Sequence, residues 1–520
     1  MIKLNITVKD LEEDKLLQTM NIILEEHFKQ IESDTENTIS LKKKKQFYDG
    51  TDIYGQKLLI NRWKYIVDIS SKVFIGQMFD IVSSGSKEDK KSLRFLNDRF
   101  REKNIDVETA GLGFSASNYG TSFLMLYNEK NDEFPSFKEL DVLSTNVVYQ
   151  CDINETPVLA FYVNEIKELD NGQTKKYLQV WVYLKDKMTI IKTPYSAGAF
   201  SCQYDITSFP YLTQQEKTSF IEHDFKDIPI IEFRNNKDGK GDAECVAEAI
   251  CKYNSLKCKE LKNIDDQISA ILMFKNVRFG NDQERKEAFN IIKNEGIVAI
   301  EGTDVDVKFL SNPLDYEKTG MVAKKLSEEI EYISHCPILS SETFTQNASD
   351  PILKLKTKPM LDLARSKEVL FTKSFMKLLS IIKYFGYNYS KTPNRYEFDL
   401  SKIELEYSHS LPSNDQDMIT MIANLNSAKV LAPSIALQQL SFIKNVDKYM
   451  DEMKEHNKYL VEISNEKSEN MNKGKENPSN NGVNEHNLEL TNSNPQTKEQ
   501  MDNKKAFNLG NANNLNSKDK

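Results

Sequence analysis

The sequence has no run of about eighteen apolar residues, the length a helix needs to cross a bilayer, so no transmembrane helix is expected. Cysteine is sparse. The six cysteines, Cys151, Cys202, Cys245, Cys251, Cys258 and Cys336, form no C-x-x-C pair and read as free thiols of a reducing compartment rather than as disulfides or a zinc site. The opening residues, MIKLNITVKDLEEDK, put charge inside any would-be apolar stretch, and no signal peptide is expected. Positive charge is not in excess. A formal net charge of -9 argues against a broad basic face that grips nucleic acid, though not against a protein that handles DNA without gripping it.

The motifs of catalysis are missing too. There is no G-x-x-x-x-G-K-[ST] loop, and Gly111-Leu112-Gly113 lacks a third glycine and a preceding strand. There is no H-E-x-x-H, and the six histidines are scattered without a second local ligand. The DGKGD string at 238–242 lacks the spacing and terminal Glu of a calcium loop, and no G-x-S-x-G elbow is present. One catalytic reading has residues behind it: a metal-dependent nuclease using Glu232, Asp238 and Asp242, since two-metal sites need converging carboxylates. The same residues also read as a strand end and a solvated turn. Lys42–Lys45 reads as a solvated helix end or as a contact for phosphate or an acidic partner. No catalytic residue, metal or cofactor is expected, and the chain is not expected to be an enzyme.

What is present is a long chain with ample core. Its 520 residues, 39% hydrophobic and 28% charged, suit two to four domains or subdomains. Residues 1 to about 110 read mainly as helix. In KLLQTMNIILEEHFKQI, residues Leu17, Met20, Ile23, Leu24 and His27 keep a helical spacing, and a second amphipathic run, LLINRWKYIVDISSKVFIGQMFDIV, ends near Gly85. From about Ser115 to 235 the strings SFLMLYN, VVYQCD, VLAFYVNEI, KYLQVWVYLKDKMTIIKT and IPIIEF predict strands, with an Asn-Gly hairpin turn in LDNGQ.

The turn cluster NNKDGKGDAE then leads into a helix expected over 243–274, with Val246, Ile250, Tyr253, Leu261, Ile264, Ile268 and Ile271 on one stripe. A charged helix, DQERKEAFNIIKNEG, and strands IVAIEG and DVKFL make a short mixed module. Another helix runs from about Tyr316 to His335, with Val322, Leu326, Ile330 and Ile333 in step, and Pro337 stops it. Two such legs of some 20 to 30 residues span roughly 30 to 45 Å and project the module, which suits assembly with neighbours. A polar stretch, SSETFTQNASDP, precedes a long apolar helix in which Phe371, Phe375, Leu378, Ile382 and Phe385 repeat and Pro359 predicts a kink. A strand in YEFDLSKIELEYSHS, helices broken at Pro433, and an Asn-, Lys- and Glu-rich tail expected to be disordered complete the chain.

Four strings, in this order, resemble the portal proteins of tailed bacteriophages. QFYDGTDIYGQKLLINRWKYIVDISSKVFIGQ is similar to the family's YY-x-G…N-x-x-x-x-IVD…FxG pattern at Tyr48, Gly50, Asn61, Ile66, Val67, Asp68, Phe74 and Gly76. SASNYGTSFLMLY resembles its small-residue helix end, followed by YG and a strand. IPIIEFRNNKDGKGDAECVAEAICKYNSLKCKELKNIDDQISAILMFKN resembles its IEF-x-NN…GD-x-E…YN segment, and ETFTQNASDPILKLKTKPMLDLARSKE its F-x-x-N-x-S loop and LK-x-K helix. The likeness covers about 45 to 460. Asp350 and Pro351 depart from the family's small pair after the loop serine, and Trp63 and Lys64 stand where the family varies.

The resemblance implies an α+β class: a mostly helical phage-portal fold with a β-rich wing subdomain, two stem helices flanking a small mixed α/β clip, and a long kinked helix. It implies a wing over 1–242, stem helices over 243–274 and 316–337, a clip over 275–315, a tunnel loop over 338–352, the long helix and a wing strand over 353–409, crown helices over 410–460 and a disordered tail over 461–520. It implies a homo-oligomeric ring, usually of twelve subunits, at one capsid vertex of the virion, assembled in the host cytoplasm. Double-stranded DNA would pass through it during packaging and ejection. Terminase and later a head-tail connector or adaptor would dock on it, and major capsid and scaffold proteins would surround it; no membrane is involved. Another structural head-tail connector protein is the alternative of like kind. The channel lining would come from Thr343, Thr345, Gln346, Asn347 and Ser349, with Lys354 and Lys356 following and Pro359 as the helix kink. Such a lining makes physical sense. Duplex DNA carries one charge per about 1.7 Å, so strong phosphate binding would stall its passage, whereas neutral hydrogen-bonding groups release it.

Overall fold

The computed structural model describes residues 2–35, 38–51, 60–76, 79–83, 85, 87–129, 132–170, 173–194, 216–217, 220–268, 271–275, 281–295, 306–310, 316–339, 350–409, 420, 424, 450 and 452–459. The contacts divide the chain into two units, Met1–Asn414 and Asp415–Lys520. In the second unit the described segment 452–459 is helical and exposed. All that follows concerns the first unit, a mixed α+β body with many helices and several sheets.

Strand β1 (Ile2–Lys3) is followed by α1 (Glu13–Glu32). Met20, Ile23, Leu24 and His27 of α1 are buried and Leu17 is half-buried, so the face read from the spacing is the one that packs. Helices α2 (Leu41–Asp49) and α3 (Arg62–Phe74) meet through the residues of the first quoted pattern. Asn61 caps α3 by accepting from the Lys64 N–H at 2.9 Å, and its amide donates to the Tyr48 carbonyl at 3.0 Å. The Tyr48 hydroxyl donates to Asp68 at 2.9 Å. Trp63 is fully buried, stacked on Phe47 at 4.7 Å. Helix α3 ends at Phe74, and Asp80–Ser83 is strand β2, so the expected helical run to Gly85 is corrected. Asp80–Ser83 pairs with a strand over 300 residues downstream, a partner no local periodicity reveals.

Helices α4 (Lys87–Glu102) and α5 (Ile105–Tyr119) lead into the β-rich block: β3 (Thr121–Tyr127), β4 (Ser136–Leu140), β5 (Thr145–Tyr149), β6 (Pro157–Asp170), β7 (Gln173–Tyr183), β8 (Lys187–Pro194), β9 (Glu216–Lys217), β10 (Ile221–Glu222) and β11 (Ile230–Arg234). The large sheet runs β1-β5-β6-β7-β8-β10 with β9 also on β8, and a second sheet runs β11-β3-β4. β6 and β7 form an antiparallel hairpin closing at Asp170 and Gln173, while the two turn residues lie outside the described set. The first residues also join the sheet, because β1 pairs in parallel with β5.

Helix α6 (Ala247–Ile268) is shorter than expected. Ile271–Lys275, placed at the end of that helix by its apolar stripe, is strand β12, which pairs antiparallel with β13 (Asp306–Leu310). The string ILMFK suits either element, and pairing with DVKFL decides it. Helix α7 (Asp282–Glu295) lies between the two strands in sequence, and the expected strand IVAIEG falls outside the described residues. Helix α8 (Tyr316–Ser334) packs along α6. Helix α9 runs from Asp350 to Tyr389, 40 residues, and strand β14 (Ile403–Glu406) pairs with β2. The helix begins inside the expected loop, at 350 rather than 353: Pro351 fits a first helical turn, where its missing N–H has no partner to lose.

The main core gathers on α9. Phe371 meets Phe74 at 4.7 Å, and Phe375 meets Phe79 at 4.4 Å and Phe233 at 4.9 Å. Helix α9, the β11-β3-β4 sheet and helices α3 to α5 therefore share one apolar interior.

Candidate functional site

The candidate site is the stretch from the end of α8, through the polar loop, into α9. Thr343, Thr345, Gln346, Asn347 and Ser349 lie outside the described residues. Both ends of their loop are described. On the entry side, Pro337 stops α8, and the Tyr65 hydroxyl donates to the Pro337 carbonyl at 3.0 Å while accepting the Leu339 N–H at 3.1 Å. Glu331 accepts the Ile338 N–H at 3.1 Å. Burial pushes the Tyr65 phenol up, so it stays a protonated hydroxyl at neutral pH. Tyr65 and Glu331 thus pin the chain just before the loop.

On the exit side, Lys354 and Lys356 stand in the first turns of α9. Lys356 is half-buried, Thr357 and Met360 are buried and Leu355 is exposed, so the turn has a packed face and an open one. Pro359 lies within α9, on its exposed side, where its ring removes the donor that would bond the Leu355 carbonyl.

What fixes α9 lies deeper, at Lys367. Its ammonium donates to Asp242 Oδ2 at 2.5 Å and to Ser117 Oγ at 3.1 Å, with both charged side chains almost wholly buried. Asp242 belongs to the 235–244 turn, which binds everything around it. Asn235 donates to Asp242 Oδ1 at 2.8 Å, and the Asp242 N–H reaches the Ser117 carbonyl at 2.8 Å. Glu244 pairs with Lys44 at 2.8 Å and accepts the Ile39 N–H at 2.8 Å. Lys44 also donates to the Tyr119 carbonyl at 3.0 Å. Burial pushes the Lys44 ammonium down, against the opposing pull of Glu244. The backbones approach so closely that a Cβ on Gly120 would overlap the Gly239 carbonyl, and one on Gly241 the Asn118 carbonyl. Gly120 also has φ +94, in the left-handed region that favours glycine.

Two sequence readings change here. The turn is solvated only at its tip, around Lys237 and Asp238: Asp242 and Glu244 are buried and each is neutralised by a lysine. Lys42–Lys45 is not simply a solvated helix end, since Lys44 is buried, while Lys42 pairs with Glu32 and Lys43 with Asp34. The one available signal was the spacing of Lys44 three residues before buried Phe47, on the same helix face. The nuclease carboxylates are likewise engaged or apart. Glu232 accepts from Tyr149 at 2.6 Å, Thr121 at 3.0 Å and Arg234 at 3.1 Å, whereas Asp238 is exposed. Among the described residues no cluster of three His, Cys, Asp or Glu side chains forms a metal site. Burial pushes the Cys336 thiol up to about 12, which leaves no reactive thiolate there.

Helices α6 and α8 carry the other candidate feature. Ala323 and Ile330 of α8 are buried against Ala247, Ile250 and Tyr253, and Arg62 lies over the Tyr253 ring at 5.5 Å and donates to Ser327 at 3.0 Å. Asn254 clasps the Ile60 backbone, accepting from its N–H at 2.9 Å and donating to its carbonyl at 3.2 Å. Yet Met321, Val322, Tyr332 and Ile333 of α8 and Leu261 of α6 are exposed. Of the stripe read from α8, Ile330 is buried and Leu326 half-buried, while Val322 and Ile333 point away from the core of this chain.

Comparison with known proteins fits this picture. The chain is 19% identical over 440 residues to the portal protein of Bacillus phage SPP1, covering 82% of each chain. Among solved structures it is similar to a chain of the virion of a native gene transfer agent particle, with a TM-score of 0.41, 11% identity, and coverage of 81% of this chain and 99% of that one. It is also similar to a chain of the neck of such a particle, with a TM-score of 0.38, 12% identity, and coverage of 74% and 90%. The family described as phage portal protein, SPP1 Gp6-like, matches residues 16–462. With that match spanning most of its length, the chain belongs to the SPP1 Gp6-like phage portal proteins, structural proteins of the virion rather than enzymes.

Proposed function

We propose that the chain assembles into a homo-oligomeric ring, of twelve copies, at one vertex of the capsid, and that double-stranded DNA passes through its central channel. The observation that carries this is the open face of the α6–α8 pair. Tyr332 is 82% exposed, Met321 61% and Val322 55%, on α8, which packs into the body through Ala323 and Ile330 on one face. Apolar groups clustered on one side of a helical pair gain most by burial against copies of themselves.

In this ring residues 1–242 form the wing, α6 and α8 the stem, and the module between them the clip, the docking site for terminase and then for the head-tail connector. Residues 410–460 form the crown. The loop lines the channel with Thr343, Thr345, Gln346, Asn347 and Ser349, and Lys354 and Lys356 follow at its edge. The pinning of the chain by Tyr65 supports this assignment, because a loop that meets moving DNA needs a fixed base. Pro359 acts as the kink that lets the loop end of α9 bend relative to its packed body. Pro359→Ala is expected to change packaging efficiency while rings form normally; unaltered packaging would count against a hinge there.

The first experiment is negative-stain class averaging of the purified protein together with its mass in solution, including high-salt and scaffold-containing conditions. Twelve- or thirteen-fold rings with a hole of about 20 Å or more, the width of a duplex, support the reading. A chain that stays monomeric in every condition overturns it.

A further inference from the structure

A cleft of about 440 Å³ lies between the middle of α9 and the sheet strands β5, β6 and β11. Its charges divide into two groups. Glu155, Glu232 and Arg234 close on one another: Arg234 bonds Glu155 at 2.9 Å and Glu232 at 3.1 Å, Lys3 bonds Glu155 at 2.7 Å, and Tyr149 donates to Glu232 at 2.6 Å. Two carboxylates and two cations leave that group neutral.

The second group does not balance. Lys373 and Lys377, one turn apart on α9, and Lys185, from the β7–β8 turn, line the cleft together with one further carboxylate, Asp227, which accepts the neighbouring Ile228 N–H at 2.8 Å. Lys377 is half-buried, and among the described residues its ammonium has no hydrogen-bond or ion-pair partner. Burial pushes this ammonium below the ordinary lysine range, with Asp227 opposing. The lining of the cleft carries four cations, Lys185, Arg234, Lys373 and Lys377, against three carboxylates, and two of those, Glu155 and Glu232, are already taken up by Arg234, Lys3 and Tyr149, which leaves Asp227 alone beside the three lysines. Elsewhere in the same body, buried Lys44 and Lys367 each have a carboxylate of their own. A partly desolvated ammonium with no bonded counter-charge is costly, and a phosphate or carboxylate group supplies both the charge and the acceptor oxygens.

We propose that this cleft is an oxyanion site that takes one phosphate or carboxylate group, with Lys377 at its base and Lys373 and Lys185 at its rim. The oxyanion comes either from a free phosphate or from an acidic side chain of a second copy of the chain. The volume admits a phosphate group or a carboxylate-bearing side chain, and the two lysines of α9 stand on one helix face, as two prongs on one anion require. Occupancy couples α9 to the sheet through charge, in addition to the apolar core behind it.

The test uses the full chain as monomer and inorganic phosphate as the probe, by calorimetric titration and thermal melting against chloride at matched ionic strength. Binding of one phosphate per chain and a raised Tm are expected. Lys377→Met, which keeps the stem and loses the charge, should weaken binding at least about tenfold, as loss of a charged hydrogen bond does. Lys373→Gln, at an exposed position, should weaken it less, and Lys138→Gln, an exposed lysine outside the cleft, not at all. No binding by the wild-type monomer, or equal binding by wild type and Lys377→Met, overturns the site. Repeating the titration on assembled rings, an arm that rests on the ring reading, separates the two sources. Binding that survives assembly marks a free anion, and binding that vanishes marks a neighbour's carboxylate in the cleft. The monomer arm stands even if no ring forms, so the two readings fail separately.

Discussion

The 235–244 turn and the outer face of α8 treat their costly groups in opposite ways. The turn buries charge, and every buried charge there has its partner within the same chain: Asp242 with Lys367, Glu244 with Lys44. The face of α8 exposes apolar side chains, and no described residue covers Tyr332, Met321 or Val322. The first region is complete in one copy of the protein. The second leaves its apolar groups to solvent in a single copy, and in the proposed ring a neighbouring copy covers them. Some of the residues that make the family pattern recognisable fall in the first, and others tie the body elsewhere. Tyr48, Asn61, Asp68, Asp242, Glu244 and Asn254 each hold together stretches distant in sequence, so the pattern records how the body is tied rather than where it acts.

Lys367→Met should have the largest effect. It strands Asp242 as a buried, unpaired carboxylate and is expected to cost about 3–5 kcal/mol of stability, read by urea unfolding of the monomer. A loss under about 1 kcal/mol would mean that the turn does not depend on its internal ion pair.

His27 tests the same self-sufficiency with a proton. It is fully buried, its Nε2–H donating to the Leu143 carbonyl at 3.0 Å while Nδ1 accepts from the Asn146 amide at 3.2 Å. Burial pushes its pKa down to about 4 from 6.5. The folded state therefore holds a neutral ring where the unfolded chain takes up a proton. The stabilisation is fully present above pH 6.5 and is lost as pH falls through about 4, on the order of 3 kcal/mol in all. His27→Gln should flatten the acid limb of the stability–pH profile by about one proton, and an unchanged slope would show that His27 titrates freely.

The smallest effect on the single chain is expected from Tyr332→Ser combined with Ile333→Ser. Monomer stability should shift by less than about 0.5 kcal/mol per site, because little packing is lost. Ring formation, followed by sedimentation, should fail. A monomer clearly destabilised by this pair would erase the contrast between the two regions.

Much of the body was legible from local pattern. The 3–4 spacing in α1 placed Met20, Ile23, Leu24 and His27 on the packed face, and β-branched runs between turn residues located β3, β5 through β8 and β11, while β4 was not read. What was not legible depends on partners far along the chain. Ile271–Lys275 continues a helical stripe, and its strand pairing lies with Asp306–Leu310. Lys44 sits in a run of four lysines, and its carboxylate is at Glu244. Asp242 reads as a turn residue, and its cation arrives from Lys367, on another helix. Trp63, set aside as variable, fills the core against Phe47 and donates to Asn118 at 2.8 Å. Of the candidate site, the polar loop was legible as composition, but nothing local announced the Tyr65 clasp at its entrance.

The length of α9 has a mechanical meaning. Forty helical residues make a rod of about 60 Å, with Lys367 gripping it a little under halfway along. Lys367 is its polar anchor, and Met360, Ala364, Phe371 and Phe375 pack it into the core on either side. A push on the short arm, where the polar loop joins, reaches the aromatic packing around Phe371 and Phe375 unless something upstream absorbs it. Pro359 stands two turns before Lys367, on the arm that joins the polar loop, and leaves the Leu355 carbonyl without its helical donor, the point at which the rod is weakest along its own ladder.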